Sequence, residues 1–164
     1  MLVLGIDPGI AITGVAFVEE LKGKQTLIHS EAVTTGSNSH TSQRLLNLHQ
    51  IINKLIKEFQ PDVAALESLF FNTNAKTALI VGQARGVVQL ALTQKNISIV
   101  EYTPLQVKMA ITGYGRADKN QIQQMVKTIL ALPKILSPDD VADAAAIALT
   151  HCFSYKLGNK TLKI

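Results

Sequence analysis

The chain opens with Leu2-Val-Leu-Gly-Ile-Asp-Pro-Gly9 and continues, after three further residues, with Thr13-Gly-Val-Ala-Phe-Val18. Each stretch contains an apolar run of the length of a buried strand, and the Asp-Pro-Gly sequence between the runs is a turn signal. We therefore expect a strand over residues 2–7 that pairs with a strand over residues 13–18. Asp7 would lie where the first strand runs into the turn.

Helical and strand patterns alternate along the rest of the chain. Apolar residues recur every three or four positions before Pro61, which is typical of a helix, and two later apolar runs suit buried strands. The expected further strands cover residues 25–35, 63–66 and 97–100, and the expected helices cover 42–59, 75–95, 104–112, 118–130 and 138–155. A three-stranded meander followed by alternating helices and strands predicts an α/β fold, with a mixed five-stranded sheet flanked by helices on both faces.

Length and composition fit one globular domain. A chain of 164 residues with 47% hydrophobic and 17% charged residues can bury a core of its own. We expect a single domain over residues 1–155 and a flexible polar tail over 156–164. The single cysteine, Cys152, excludes an internal disulfide. Because no apolar run reaches about 18 residues and no basic segment precedes the first one, we expect a cytoplasmic protein without a membrane span or signal peptide.

Charge is distributed unevenly along the chain. The formal net charge is +4, but residues 68–138 contain eight basic and only two acidic residues, which gives this segment a net charge of +6. The remainder of the chain has a net charge of −2. A basic middle segment beside acidic residues fits a polyanion held over a metal site. The alternative is a solvated face of ordinary helices.

Four carboxylates lie where the expected elements begin or end. Asp7 and Glu67 each close an apolar run, and Asp140 and Asp143 lie three residues apart in an alanine-rich segment. That spacing places Asp140 and Asp143 on one face of a helix. Carboxylates at buried positions are costly unless something positive compensates them, and a divalent metal ion is the simplest candidate.

Each acid also has an ordinary structural interpretation. Asp7 could cap a turn, Glu67 could be a surface acid, and Asp140 could belong to a capping box at a helix start. We assign Asp139 to the helix start alone, where the helix dipole favours an acid. Asp143 is harder to explain in this way, because its alanine neighbours predict close packing against a sheet.

Six short motifs occur in order along nearly the whole chain. They are Gly5-Ile-Asp-Pro-Gly9, Leu66-Glu-Ser-Leu-Phe70, Gly82-Gln-Ala-Arg-Gly86, Tyr102-Thr-Pro-Leu-Gln-Val-Lys108, Ala117-Asp-Lys119 and Asp140-Val-Ala-Asp-Ala-Ala-Ala-Ile-Ala148. Each motif alone is weak, but their ordered set in a chain of this length is specific. Together they resemble the RuvC family of bacterial Holliday-junction resolvases.

This resemblance implies an RNase H-like fold, a homodimer, and Mg²⁺-dependent resolution of four-way DNA junctions by paired nicks in recombination and repair. Asp7, Glu67, Asp140 and Asp143 match the four acidic metal-site positions of the family. Some members have His where this chain has Asp140, and the all-oxygen set here suits Mg²⁺ or Mn²⁺ rather than zinc. We expect two ions per site, since two ions can serve both the attacking and the leaving oxygen. The branch-migration proteins RuvA and RuvB are expected partners.

The resemblance also implies which residues meet DNA. Lys108 and Lys119 match basic positions near the scissile phosphate and are included among the catalytic residues. Phe70 matches an aromatic residue that stacks on bases at the junction centre. Lys76 and Arg85 are expected to contact the DNA backbone. Without the resemblance, the lysines could be ordinary exposed residues, Phe70 could belong to the core, and Arg85 could serve helix packing.

Two questions stay open at the level of sequence. The helix that contains Gly82 and Gly86 could form the dimer interface, because small residues permit close approach, but packing within the chain explains the glycines equally well. The function could also be that of another RNase H-like nuclease, YqgF-like or RNA-directed, or of a non-catalytic junction-binding protein. The Gln-Ala-Arg-Gly helix and the final Asp pair favour RuvC, and clustered acids would not help a protein that only binds DNA.

Overall fold

The computed structural model describes residues 1–68 and 75–161, with side chains for residues 1–68 and 78–155. Within these residues the chain forms five strands and five helices. They are β1 (Leu2–Asp7), β2 (Ile12–Leu21), β3 (Lys24–Thr34), α1 (Thr41–Phe59), β4 (Val63–Glu67), α2 (Ala75–Gln94), β5 (Ser98–Tyr102), α3 (Pro104–Thr112), α4 (Lys119–Ile129) and α5 (Asp139–Thr161). Each element predicted from the sequence is present, in the predicted order.

The strands form one mixed sheet in the order β3-β2-β1-β4-β5. The meander of β1, β2 and β3 is antiparallel, whereas β4 runs parallel to β1 and β5 runs parallel to β4. This arrangement confirms the predicted mixed five-stranded sheet. It also brings the carboxyl ends of β1, β4 and β5 to the same edge of the sheet.

Helices cover both faces of the sheet, as predicted. On one face, apolar residues of β1, β2 and β4 pack against α3, α4 and α5 in a core that includes the buried Cys152. On the other face, the alternate residues of the same strands pack against α1 and α2. None of the helices in the described part of the chain is long and apolar enough to cross a membrane.

Two strand glycines let α5 lie directly on the sheet. A Cβ atom on Gly5 of β1 would lie 2.0 Å from the carbonyl oxygen of Ala144, and one on Gly14 of β2 would lie 1.9 Å from that of Asp140. Neither position therefore has room for a side chain. The main chain of α5 touches the main chain of β1 and β2, and this contact sets the height of the helix over the sheet.

Two elements, β2 and α5, end furthest from the predicted position. β2 continues through Glu19 and Glu20 to Leu21 and stays paired with β3, although this part lacks the apolar residues that mark a buried strand. α5 continues to Thr161, six residues beyond the predicted end at Tyr155, because a polar segment without proline can extend a helix. A flexible tail over residues 156–164 stays a prediction.

Candidate active site

Asp7 and Glu67 end two neighbouring parallel strands. Ile6 of β1 lies opposite Leu66 of β4, so the two carboxylates follow at the next position of each strand. Side chains alternate between the two faces of a sheet, and Asp7 therefore shares the face of Gly5, over which α5 lies. The strand register thus brings both acids to the α5 face at the same edge of the sheet.

The first two turns of α5 supply Asp140 and Asp143. The carbonyl of Asp140 lies against Gly14 and that of Ala144 against Gly5, which places this part of the helix over the ends of β1 and β2. Because Asp140 and Asp143 are three residues apart, their side chains lie on one side of the helix. Backbone contact therefore determines where α5 presents these two acids.

The four carboxylates repel one another. Burial, followed by the charges of Asp143, Glu67 and Asp140, raises the pKa of Asp7 from 3.8 to about 7. Burial and then the charge of Asp143 raise the pKa of Glu67, and burial likewise raises the pKa of Asp143. Mutual effects of this kind arise when ionised groups lie close together with little water between them. A cation bound among the acids would remove the cost of ionising them.

Lys119 provides part of this positive charge. Its ammonium lies 3.1 Å from Oδ2 of Asp143 and 3.2 Å from Oδ2 of Asp139. Burial opposes the ammonium form, but the hydrogen bonds and charges of these two carboxylates outweigh it and raise the pKa of Lys119. α4 begins at Lys119 because Asp118 and Gln121 form a capping box, with both reciprocal hydrogen bonds at 2.9 Å.

A cleft of about 210 Å³ opens beside the acids. Glu67 and Asp143 line it together with the predicted lysines, Lys108 and Lys119. Asp140 instead lines a neighbouring groove beside residues 9–12. The cleft thus has both acidic and basic walls, and this combination suits a phosphate group held next to a cation.

Metal binding would require side chains in the site to move. In the part of the chain that the structure describes, no three Asp, Glu, His or Cys side chains are grouped so that they could hold one ion. One reason is that Asp143 is paired with Lys119. The donors nevertheless fit Mg²⁺ or Mn²⁺, because all four are carboxylates and their mutual repulsion favours a divalent cation.

Of three further residues predicted to contact DNA, the structure describes the side chain of only one. Phe70 lies outside the described residues, and of Lys76 only the main chain, as part of α2, is described. Arg85 is only 6% exposed, and its guanidinium donates to the carbonyl oxygen of Glu67 and lies 2.6 Å from Oε1 of Glu101. Because it is buried and engaged by two partners, this geometry does not favour Arg85 as a contact to the DNA backbone.

Two residues of the site were missed by sequence reasoning. Asp139 was assigned to the helix start, where it indeed lies, but it also pairs with Lys119 and accepts a hydrogen bond of 2.9 Å from Gln123. No role was predicted for Glu101, because its partner Arg85 is 16 residues away in the sequence. The two side chains meet only because α2 packs across β5. The signal that could have pointed to a buried ion pair was Arg85 itself, a charged residue inside a run of small residues.

Comparison with known proteins gives consistent matches over nearly the whole chain. The family model described as "Crossover junction endodeoxyribonuclease RuvC" matches residues 3–151. A protein of that name from Caldicellulosiruptor saccharolyticus is 54% identical over 155 residues, which cover 94% of this chain and 93% of the relative.

Solved structures agree with the sequence matches. The structure of Thermus thermophilus RuvC has a TM-score of 0.89 at 38% identity and covers 96% of this chain and 97% of its own. RuvC of the same organism in complex with a Holliday junction substrate has a TM-score of 0.92 at 36% identity, with 96% of both chains covered. These matches confirm the predicted RNase H-like fold, and they show that the chain belongs to the RuvC family of crossover junction endodeoxyribonucleases.

Proposed function

We propose that this protein resolves Holliday junctions as a structure-specific endodeoxyribonuclease of recombination and DNA repair, by paired nicks in opposing strands. The observation that carries the proposal is the cluster of Asp7, Glu67, Asp140 and Asp143, contributed by three elements beside two lysines. The similar RuvC chain bound to a Holliday junction substrate supports the same class of substrate.

The four carboxylates would hold two Mg²⁺ ions, or Mn²⁺ in their place. Bound ions would supply an activated water and neutralise charge on the phosphate oxygens. The raised pKa of Asp7 means that this carboxyl gives up its proton when a cation arrives. Asp143 would turn from Lys119 towards the ions.

Lys119 and Lys108 would act on the phosphate. Lys119 is also paired with Asp139, and this pair would keep its ammonium at the cleft if Asp143 bound a cation instead. Lys108 lines the same cleft, and its charge already acts on Glu67. Positive groups held at this place stabilise the negative charge that builds up during phosphodiester cleavage.

The cleavage test uses a synthetic immobile four-way junction with Mg²⁺. We expect paired, symmetric nicks, no comparable cutting of linear duplex or of an RNA–DNA hybrid, and loss of cleavage by Asp7→Asn and Glu67→Gln with junction binding largely kept. Full cleavage by Asp7→Asn would overturn the site assignment. Junction binding without nicking by the wild type, with or without Mg²⁺, would instead support a non-catalytic binding protein.

We also propose that the protein acts as a homodimer through one face of α2. Leu79 and Leu90 are 65% and 51% exposed, and a Cβ atom on Gly82 or Gly86 would meet nothing within 4 Å. These four residues follow helical spacing and form one open, apolar stripe. The open space at both glycines favours an interface over packing within the chain. A two-fold axis would direct two sites at opposing strands of a nearly symmetric junction.

Further parts of the proposal rest on the family resemblance. Phe70 would stack on bases at the junction centre, and Lys76 would contact the DNA backbone. RuvA and RuvB would be partners in the cytoplasm, with residues 1–155 acting as one nuclease domain.

A further inference from the structure

We propose that Arg85 is a positioning residue, which fixes the main chain at Glu67 and thereby the place of the Glu67 carboxylate beside Asp7. The proposal rests on the proposed metal-dependent nuclease function, and it gives a role to a buried charge that the cleavage chemistry itself does not use.

The contacts of Arg85 join three elements. From the middle of α2, Nη1 donates to the carbonyl oxygen of Glu67 at the end of β4, and Nη2 lies 2.6 Å from Oε1 of Glu101 on β5. Glu101 also accepts a hydrogen bond of 3.2 Å from Gln89, one turn further along α2. The guanidinium thus links α2 to the ends of β4 and β5. The contact on β4 is made at Glu67, whose side chain is a proposed metal ligand.

The end of β4 is where such a tie is needed. On one side its pairing with β1 ends at Leu66, and on the other side the last contact is the hydrogen bond of 2.7 Å from the Ser68 amide to the Tyr102 carbonyl. A partly buried carbonyl at a strand end gains from a donor, and Arg85 supplies it.

The geometry also favours an arginine over a lysine. One planar guanidinium reaches the Glu67 carbonyl and the Glu101 carboxylate with two different nitrogens, whereas a lysine ammonium offers a single point of charge. Residues that orient a metal ligand from behind typically contribute 10–100-fold to metal affinity or activity. Because Arg85 is only 6% exposed, these contacts rather than DNA account for its position.

The test measures Mn²⁺ binding to the full-length protein by isothermal titration calorimetry, without DNA, and junction binding in EDTA. We expect Arg85→Gln to weaken Mn²⁺ binding by about 10–100-fold, Arg85→Lys to recover part of that loss, and Glu101→Gln to weaken binding severalfold. Junction affinity in EDTA should stay within about twofold of the wild type for all three variants. Glu58→Gln removes the same charge from an exposed position on α1 and serves as the control.

Unchanged Mn²⁺ affinity in folded Arg85→Gln would overturn the proposal. So would a loss of junction affinity in EDTA as large as the loss of metal affinity, because Arg85 would then be a DNA contact. If Arg85→Gln does not fold, Glu101→Gln decides in the same way. Since Mn²⁺ binding needs no cleavage, a wild type that binds metal but does not cut junctions would contradict the proposed function without affecting this comparison.

Discussion

The carboxyl of Asp7 has a pKa of about 7 in the metal-free protein, because burial and the neighbouring carboxylates disfavour its ionised form. A group in this state is half protonated near neutral pH, and it releases its proton when a cation binds. At this single residue, the proposed cation binding would therefore be linked to proton release.

The raised pKa of Asp7 predicts how the stability of the metal-free protein depends on pH. Between about pH 4 and pH 7 the folded protein keeps a proton that the unfolded chain, with an ordinary pKa of 3.8, has lost, so stability falls as pH rises. In EDTA we expect a lower melting temperature at pH 8 than at pH 5, and a smaller fall in Asp7→Asn. Glu58→Gln, which removes a distant surface charge, should keep the wild-type fall. An equal fall in Asp7→Asn would contradict the prediction.

At the level of elements, the contact between α5 and β2 can be tested with one methyl group. Gly14→Ala would place a Cβ atom about 1.9 Å from the Asp140 carbonyl, so the first turn of α5 must shift. We expect a loss of roughly 1–3 kcal/mol in the free energy of unfolding, measured with urea, and a strong loss of cleavage. In Gly36→Ala the nearest atom is Oγ of Ser39 at 3.8 Å, and this variant should keep both properties.

The proposed dimer face of α2 can be tested by a substitution that places a charge on it. Leu90→Glu places a charge in the open stripe of α2, and a charge buried without a partner is costly, so the variant should be monomeric. Light scattering coupled to gel filtration measures this directly. Leu21→Glu changes a leucine at the end of β2 that is slightly more exposed than Leu90, and this variant should stay dimeric. A dimeric Leu90→Glu would show that the interface lies elsewhere.

Local sequence signals predicted the elements well, because apolar runs and breakers such as Pro61 mark where strands and helices end. The positions of the acids at strand ends followed from the same signals. What local sequence could not show depends on contacts between distant segments. The pairing of Arg85 with Glu101 and the contact of Gly14 with Asp140 exist only once helices lie on the sheet.

On the scale of the whole molecule, two basic residues of the middle segment, Lys108 and Lys119, border the acidic site. Lys108, Arg116 and Lys119 lie on or between α3 and α4, the helices that line the cleft, and Arg116 is exposed. The cleft therefore has acidic and basic side chains side by side, as the proposed binding of cations and of the DNA backbone requires. This arrangement fits the net charge of +6 over residues 68–138.

The basic side chains of the cleft predict a steep salt dependence of junction binding. Each lysine that neutralises a phosphate releases counterions, so the logarithm of the affinity should fall linearly with the logarithm of the salt concentration. In EDTA we expect Lys108→Ala to reduce this slope by about 1, while Lys57→Ala, an exposed residue of α1, leaves it unchanged. Equal slopes in wild type and Lys108→Ala would remove Lys108 from the DNA-binding surface.

The glycine contact between α5 and the sheet also divides the molecule into two halves with different tolerance to sequence change. On the α5 face, the spacing of the acids is set by main-chain atoms in contact, and no alternative side chain at Gly5 or Gly14 preserves it. On the α1 and α2 face, larger side chains fill the core and can be exchanged for others of similar volume. Sequence drift among the apolar core residues is therefore expected to accumulate behind the sheet, with Arg85 as the exception because its contact with the Glu67 carbonyl reaches the site.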